Sequence, residues 1–459
     1  MGERLNRRSF LKTAAGAACA GLVSNAQSTL PNIVFILADD LGFGDLGSYG
    51  SKIPTPNLDQ MAAEGIRFQY FYSASAVCSP SRAALLTGRY PPRVGVPNLL
   101  MPNDSGGLSL SETILPQVLK PLNYSTMCIG KWHLGTQSGY MPTDRGFDNY
   151  YGVPYSNDLS PLPLLSDGQV LEQPATQQLL TQRFTRQAVN FINNSTGQPF
   201  FLYLAYTAPH VPLVPNPNFA GKSGAGHYGD VVMELDWGVG QVLSALKANG
   251  IDNNTLVMFS SDNGPWYQGS PGRLRGRKGE TYEGGLREPF IARWPGRIPA
   301  GQTASAFGTM MDVFPTVAAL TGAGLPAAMD GVDLSPVLTG QQASVDHDTF
   351  FYFDGWNLQC ARVDNMKLHV ARYNIPPWLP APVGGRVNLP LPQPELYDIV
   401  ADPQESTDIS ADHPDIVASI KAKILASIPN LPWQVHDSWV ATMNQAVAGT
   451  WDGAPPSQQ

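Results

Sequence analysis

Asp39-Asp40 and Asp262-Asn263 set three carboxylates and one amide, all hard oxygen donors, behind two equally apolar runs. Adjacent carboxylates repel one another unless a cation joins them, and an oxygen-only set selects calcium or magnesium over zinc. One acidic pair is often just a loop or a cap, so the second pair carries the metal reading. Lys131 and His133 leave a third apolar run, with only Trp132 between them. His210 follows Pro209, and Lys278 closes a basic loop that also holds Arg273, Arg275 and Arg277. Such a loop is ordinarily a solvated face, but four cations also suit an anionic ester. Cys78 is followed by Pro80, which fits the first turn of a helix running through Leu86, and Gly88 fits its exit. Residue 78 then faces helix N-terminal amides, where an anion or a developing negative charge is favoured. Arg82 lies one turn further on and can return its guanidinium to the same end.

Four short apolar runs must position these groups. Ile33–Leu37 leads into Asp39-Asp40, Ser125–Ile129 into Lys131 and His133, Phe200–Leu204 toward His210, and Thr255–Phe259 into Asp262-Asn263. Continuous runs rich in β-branched and aromatic residues are what strands buried on both faces of a parallel sheet look like. Segments of helical period lie between them, as a βαβ alternation requires. Asn57 can cap Leu58–Glu64, Ser111 can cap a stretch toward Leu119, and Val232–Lys247 carries an apolar stripe that ends before Gly250. His227 belongs to the approach to that last helix. In open parallel sheets ligands gather beyond the carboxyl ends of the strands, so four distant segments can converge on one site.

From about Asp346 the texture changes to short aromatic or alternating runs, Thr349–Phe353, Lys367–Val370 and Glu395–Asp398, which predict a small antiparallel sheet that includes His369. Pro376–Pro394 reads as a proline-rich surface loop, Pro414–Ile428 as a closing helix, and Gly453–Gln459 as a frayed tail. The expected class is therefore α/β: a large, mostly parallel sheet flanked by helices, with a smaller C-terminal antiparallel sheet plus helix. The expected domains are a leader over 1–26, a catalytic domain over 27–345 and a small α+β subdomain over 346–459.

With 43% hydrophobic and 14% charged residues the chain has ample apolar surface for a core. A net charge of −8 offers no footprint for nucleic acid. Arg7-Arg8-Ser9-Phe10-Leu11-Lys12, followed by a short apolar stretch and Ser24-Asn25-Ala26, resembles a twin-arginine export signal with its cleavage site. That points to the twin-arginine machinery as a partner and to a periplasmic or secreted mature chain without a membrane span. Removal of the leader takes Cys19 with it and leaves Cys78, Cys128 and Cys360, which is no disulfide framework, although a Cys128–Cys360 bridge stays open.

Cys78-Ser79-Pro80-Ser81-Arg82, continuing to Thr87-Gly88-Arg89, resembles the signature of the sulfatase family, in the arylsulfatase branch of the alkaline phosphatase superfamily. Supporting matches are Ala38–Asp45, Gly130–Gly135, Ser261–Gly264 and Lys278–Gly285, and the resemblance covers nearly all of residues 31 to 410. It implies that a formylglycine-generating enzyme oxidises Cys78 to formylglycine, and that one calcium ion is held by Asp39, Asp40, Asp262, Asn263 and an oxygen of residue 78. It further implies that Lys131, His210, Lys278 and Ser156 bind sulfate, that His210 or Lys278 assists the leaving oxygen, and that His133 acts on the hydroxyl that later collapses to the aldehyde. Arg82 would steady the nucleophile. The implied reaction is hydrolysis of a sulfate ester, on a sulfated carbohydrate or an aryl sulfate, with Trp132, Trp266, Tyr267 and Trp356 as candidates to stack on a ring. Two other readings use the same residues: a phosphodiester or phosphonate monoester hydrolase, and a non-catalytic binder of sulfated glycans.

Overall fold

The four apolar runs become four neighbouring parallel strands in the computed structural model, which describes residues 30–445 apart from 196, 378 and 381–384. The leader and the tail lie outside the described residues. In chain order the strands of the main sheet are β1 (Asn32–Ala38), β2 (Ile66–Tyr72), β3 (Ser125–Lys131), β4 (Asn149–Val153), β5 (Leu164–Ser166), β6 (Gln169–Glu172), β7 (Phe200–Ala205), β8 (Thr255–Ser261), β9 (Arg287–Arg293) and β10 (Gln302–Thr309). Their order in space is β10-β2-β9-β8-β1-β7-β3-β4-β5-β6. The central β8, β1, β7 and β3 are all parallel, and every residue of β1, β7 and β8 is buried, as a sheet covered on both faces demands. Antiparallel pairings enter on either side of this centre, at β8–β9 and β2–β9 and again at β4–β5–β6.

The helices over this region are α1 (Pro56–Ala63), α2 (Cys78–Thr87), α3 (Leu115–Leu119), α4 (Leu180–Asn194), α5 (Gly226–Ala248), α6 (Glu283–Leu286), α7 (Val313–Thr321) and α8 (Ser335–Leu338). Leu58 and Met61 of α1, Phe184 and Ile192 of α4, and Val232, Leu235, Val239, Val242 and Leu246 of α5 share one cluster with the sheet residues Val34, Ile36, Leu202, Leu204, Val257 and Phe259. Each such side chain, fully buried, contributes about 1.5–3 kcal/mol. Helix α2 packs with α7 outside this cluster.

A second sheet, β11 (Phe350–Asp354), β12 (Asn357–Val363), β13 (Met366–Tyr373) and β14 (Asn388–Asp398), is antiparallel throughout and is covered by α9 (Pro414–Ser427) and α10 (Trp433–Met443). Its apolar cluster also takes in Tyr72 of β2 and Leu286 of α6, so the two sheets are joined by packing.

Several local expectations need correction. Helix α1 starts at Pro56 behind Thr55, because proline suits the first helical position; Asn57 is inside the helix and donates to Asp236 of α5 at 2.7 Å. Ser111 caps nothing: α3 starts at Leu115, and the Ser111 hydroxyl pairs with that of Ser109. His227 falls within the first turn of α5 rather than before it. The expected proline-rich loop is strand from Asn388 onward. Since β14 is the edge of its sheet, Pro390, Pro392 and Pro394 can lack an N–H on the open side at little cost. The three described cysteines are free, which closes the Cys128–Cys360 question.

Candidate active site

Parallel strands bring their carboxyl ends to one edge. Ala38 pairs with Ser261 in register, so Asp39-Asp40 and Asp262-Asn263 emerge side by side. Gly130 pairs with Ala205 next to them, and Lys131 and His133 leave β3 there. Gly130 has a φ of 101°, and a Cβ on it would lie 1.8 Å from the Ala205 carbonyl oxygen, so glycine is required for this approach. Asp40 and His133 also sit in the left-handed region, at φ 64° and 61°. Strain of this kind concentrates where side chains must be aimed.

Cys78 is the first residue of α2 and is buried. Its Sγ lies 3.4 Å from Asp39 Oδ1 and 3.3 Å from Lys278 Nζ. Burial, reinforced by Asp39 and Asp262, pushes its thiol far above the usual range although Lys131 and Lys278 pull the other way. Burial outweighs the two lysines, so the thiol is held in its protonated form rather than as a thiolate nucleophile.

Lys131 Nζ donates to Asp39 Oδ2 at 2.6 Å and to Ser156 Oγ at 3.2 Å. Lys278 Nζ spans both oxygens of Asp40, at 2.7 and 2.9 Å. Burial opposes the charge on each lysine, yet Asp39 beside Lys131 and Asp40 beside Lys278 outweigh it and raise both. Arg82 is fully buried, and its guanidinium is bonded elsewhere than to Cys78. Its Nε and Nη2 bind Asp262 Oδ2 at 3.1 and 2.8 Å, and its Nη1 binds the Lys131 carbonyl at 2.9 Å. It ties together the ends of β3 and β8.

The two histidines present defined nitrogens. His133 Nε2 lies 2.9 Å from the Leu100 carbonyl oxygen, which can only accept, so Nε2 carries the proton. Its Nδ1 is then a lone pair, buried and without a partner among the described residues. Burial, with Lys131 and Arg82 close by, holds this imidazole neutral, well below its ordinary pKa. By the same argument His210 donates Nδ1–H to the Val211 carbonyl, 2.6 Å away, and turns Nε2 toward Asp40, 3.6 Å from Oδ2.

Donor atoms of Asp39, Asp40, Cys78 and His210 all lie within 4.8 Å of one another. Asn263 gives its Nδ2 to Asp40 Oδ1 at 2.7 Å, while its Oδ1 is buried without a partner among the described residues, an acceptor with an unmet demand for positive charge. Asp262 Oδ1 accepts the Asp40 N–H at 3.2 Å, and burial with Asp39 beside it raises its pKa. These residues fit a divalent cation. His210 stands closer to this group than its expected role at the leaving oxygen alone would require. One residue was not legible at all: Glu288 of β9 is fully buried, neither carboxyl oxygen has a hydrogen-bond partner among the described residues, and burial together with Asp262 and Asp40 holds it protonated well above the carboxylate range. It has no acidic neighbour in sequence and no periodic context that would mark it.

The cluster opens into a cavity of about 370 Å³ lined by Cys78, His133, Ser156, His210, Trp266 and Lys278 among others. Of the four aromatic candidates, Trp266 lines it. Trp132 is buried and donates to the Tyr140 carbonyl, and Trp356 packs against the second sheet's core, so neither reaches it. Tyr267 is half exposed beside Trp266. His369 lies in β13, apart from this cavity.

Comparison with known proteins agrees with this geometry. A family model described as sulfatase matches residues 31–323, and one described as N-sulphoglucosamine sulphohydrolase, C-terminal, matches 277–430. Arylsulfatase A of Bos taurus is 44% identical over 371 residues, 73% of this chain and 72% of its own length. N-acetylgalactosamine-6-sulfatase of Rattus norvegicus is 41% identical over 385 residues, covering 76% and 73%. Among solved structures, PsFucS1 sulfatase from Pseudoalteromonas sp. superposes with a TM-score of 0.78 at 29% identity, over 88% of this chain and 92% of its own. Ps i-CgsB in complex with k-i-k-neocarrahexaose gives 0.74 at 31%, over 86% and 92%.

Proposed function

Given that this chain belongs to the sulfatase family and hydrolyses sulfate esters, we propose that it does so through a formylglycine made from Cys78, with one calcium ion, on a sulfated carbohydrate. The observation that carries the reading is the environment of Cys78: a buried thiol, protonated, between Lys278 and Asp39 at the floor of the cavity. Membership of the family implies a formylglycine and a metal ion. Calcium is favoured because Asp39, Asp40, Asp262 and Asn263 offer only oxygen, and conversion of Cys78 replaces the one sulfur by oxygen.

When in place, the hydrated aldehyde at residue 78 supplies the attacking hydroxyl and the cation stabilises charge on sulfate oxygens. The chain's own residues do the rest. Lys131 Nζ, fixed by Asp39 and Ser156, and Lys278 Nζ, fixed by Asp40, bind the sulfate oxygens. His210 Nε2 or Lys278 Nζ hands a proton to the departing alcohol oxygen. His133 Nδ1, a bare lone pair on the cavity wall, accepts the proton released at residue 78. Arg82 holds Asp262 and the end of β3 in place, so its role is positioning.

A carbohydrate substrate is supported by the relatives' names, which specify N-acetylgalactosamine 6-sulfate for one and a bound neocarrahexaose for another. The ring of Trp266 offers a sugar an apolar face. Export through the twin-arginine machinery, after conversion by a formylglycine-generating enzyme, is supported by Arg7-Arg8 and its context. No helix among the described residues is long and apolar enough to cross a membrane. The division into a catalytic part over 27–345 and an appendage over 346–459 is supported by the change of sheet after β10.

Peptide mass spectrometry across residue 78 tests the reading directly. Loss of sulfur, with no alkylation by iodoacetamide, is expected in active preparations. Active protein with an intact, alkylatable thiol would overturn it. Chelation should abolish turnover of a sulfated sugar, calcium should restore it better than zinc, and the matching phosphate ester should be the poorer substrate.

A further inference from the structure

A second cavity, of about 710 Å³, adjoins the catalytic one. Gly279 and Pro377 line both. Trp266 in the first stands edge-on to Tyr267 in the second, with ring centroids 4.9 Å apart. A ligand seated by Trp266 can therefore continue past Tyr267 into the larger space.

The walls of this cavity carry Arg275, Arg277, Arg372 and Arg386, in a chain whose net charge is −8. Arginines that serve only as internal glue pair with carboxylates. Here Arg275 gives Nη1 to the Glu405 carbonyl at 2.8 Å and lies 4.1 Å over the Tyr282 ring. Arg277 gives Nη1 to the carbonyls of Trp266 and Gly269, at 2.9 and 2.7 Å. Carbonyls and a ring orient these guanidinium groups without cancelling their charge. Arg386 meets Asp354 at 3.4 Å and lies 3.8 Å over Tyr373. Arg372 pairs with Glu395 but keeps its Nε buried without a partner. The one acid among the described residues of the lining is Glu280; burial raises it to about 7 despite the arginines around it, so it offsets only part of one of their charges.

We propose that this cavity is a subsite for a second anionic group, a sulfate ester or a carboxylate, on the sugar next to the one whose sulfate is cleaved. The proposal rests on the carbohydrate reading above and adds to it that the substrate is a polyanionic chain. Oriented guanidinium groups recognise both anions through paired N–H donors, while Tyr267 and Tyr282 supply faces for the sugar between.

The test compares four substrates that share one sulfated hexosamine: the monosaccharide, and disaccharides in which its neighbour is neutral, a uronate, or itself sulfated. Wild-type protein is expected to favour the uronate or the sulfated neighbour over the neutral one, and the stronger of the two names the anion. R372Q is the variant of choice, because Arg275 ties the loop that carries Lys278 to Glu405, and Arg277 and Arg386 brace the carbonyls around Lys278. It should lose about tenfold in kcat/KM on the favoured disaccharide, through KM, and keep the wild-type rate on the monosaccharide. Should R372Q unfold, R372K, which keeps the charge but not the paired donors, is expected to show the same selective loss in smaller measure. Equal loss on all four substrates would make the arginines structural and overturn the proposal, as would a wild-type protein indifferent to the neighbour's charge. Failure to cleave any sulfated sugar while cleaving an aryl sulfate would overturn the carbohydrate reading itself, and this one with it.

Discussion

At the scale of single residues the site divides into groups that touch the cavity and groups that hold them. Arg82 was expected to steady the nucleophile, because its spacing from residue 78 is one helical turn. Its guanidinium bonds Asp262 and the Lys131 carbonyl and lies 3.6 Å from Asp39, the partner of Cys78, contacts across the chain that spacing cannot reveal. Lysine at this position keeps the charge but cannot make three oriented bonds. Arg82→Lys should therefore cut kcat by about a hundredfold and cost about 1–3 kcal/mol in urea unfolding, as expected when buried acceptors lose their donors. A variant of normal rate and stability would remove Arg82 from this role. His133 makes the opposite kind of prediction, since it acts on a proton late in the cycle. His133→Ala should release about one equivalent of alcohol per protein and then stall, visible as a burst in stopped flow. Because the folded pKa of His133 is depressed, the neutral form that serves as base persists as pH falls below 6.5 and is lost only near the depressed value. Steady-state rates at saturating sulfated sugar should therefore show no inflection at 6.5 that the variant lacks.

At the scale of elements the apolar runs told most of the story. The four that end in Asp39-Asp40, Lys131, His210 and Asp262 are indeed adjacent parallel strands, and continuous apolarity was a sufficient signal because both faces are covered. What was not legible was how the second sheet grips the loop that carries Lys278. Glu405 Oε2 accepts the Glu283 N–H at 2.7 Å; Lys367 Nζ meets Glu283 at 3.1 Å and Glu405 at 3.0 Å; and His369 Nε2 lies 2.6 Å from Glu405. All four are buried, and pairings over such separations leave no mark in local sequence. Burial alone would raise Glu405, but Lys367 and His369 outweigh it and hold its folded pKa at about 2, below the ordinary 4.5. Its stabilisation is thus complete above about pH 4.5 and lost as pH falls toward 2. Burial opposes the charge on His369, yet Cys360 and Glu405 raise it above 6.5, so its share is complete below 6.5 and lost as pH climbs through the folded value. The network is strongest between these limits. Glu405→Gln should cost about 3–5 kcal/mol in urea unfolding near pH 6, and the gap from wild type should shrink toward pH 3. A gap independent of pH would reject the ionised network.

At the scale of the whole molecule, the proposed conversion of Cys78 and the proposed twin-arginine export carry an order in time that the burial of α2 bears on. Every residue of α2 is buried and Cys78 is 1% exposed, so no second protein can reach the thiol once the sheet has closed over it. Conversion must therefore act on the chain before it folds. The twin-arginine route, by contrast, moves folded cargo and reads Arg7-Arg8. On the proposed reading, conversion comes first, folding second and translocation last. Replacing Arg7-Arg8 by Lys-Lys should leave the protein in the cytoplasm, folded, active in lysate on a sulfated sugar, and already lacking sulfur at residue 78. Cell fractionation with peptide mass spectrometry reads both halves at once. Periplasmic delivery of the double-lysine form would point to another export route. A cytoplasmic pool that is folded but still carries the Cys78 thiol would refute the order, because burial of α2 leaves no later moment at which the oxidation could take place.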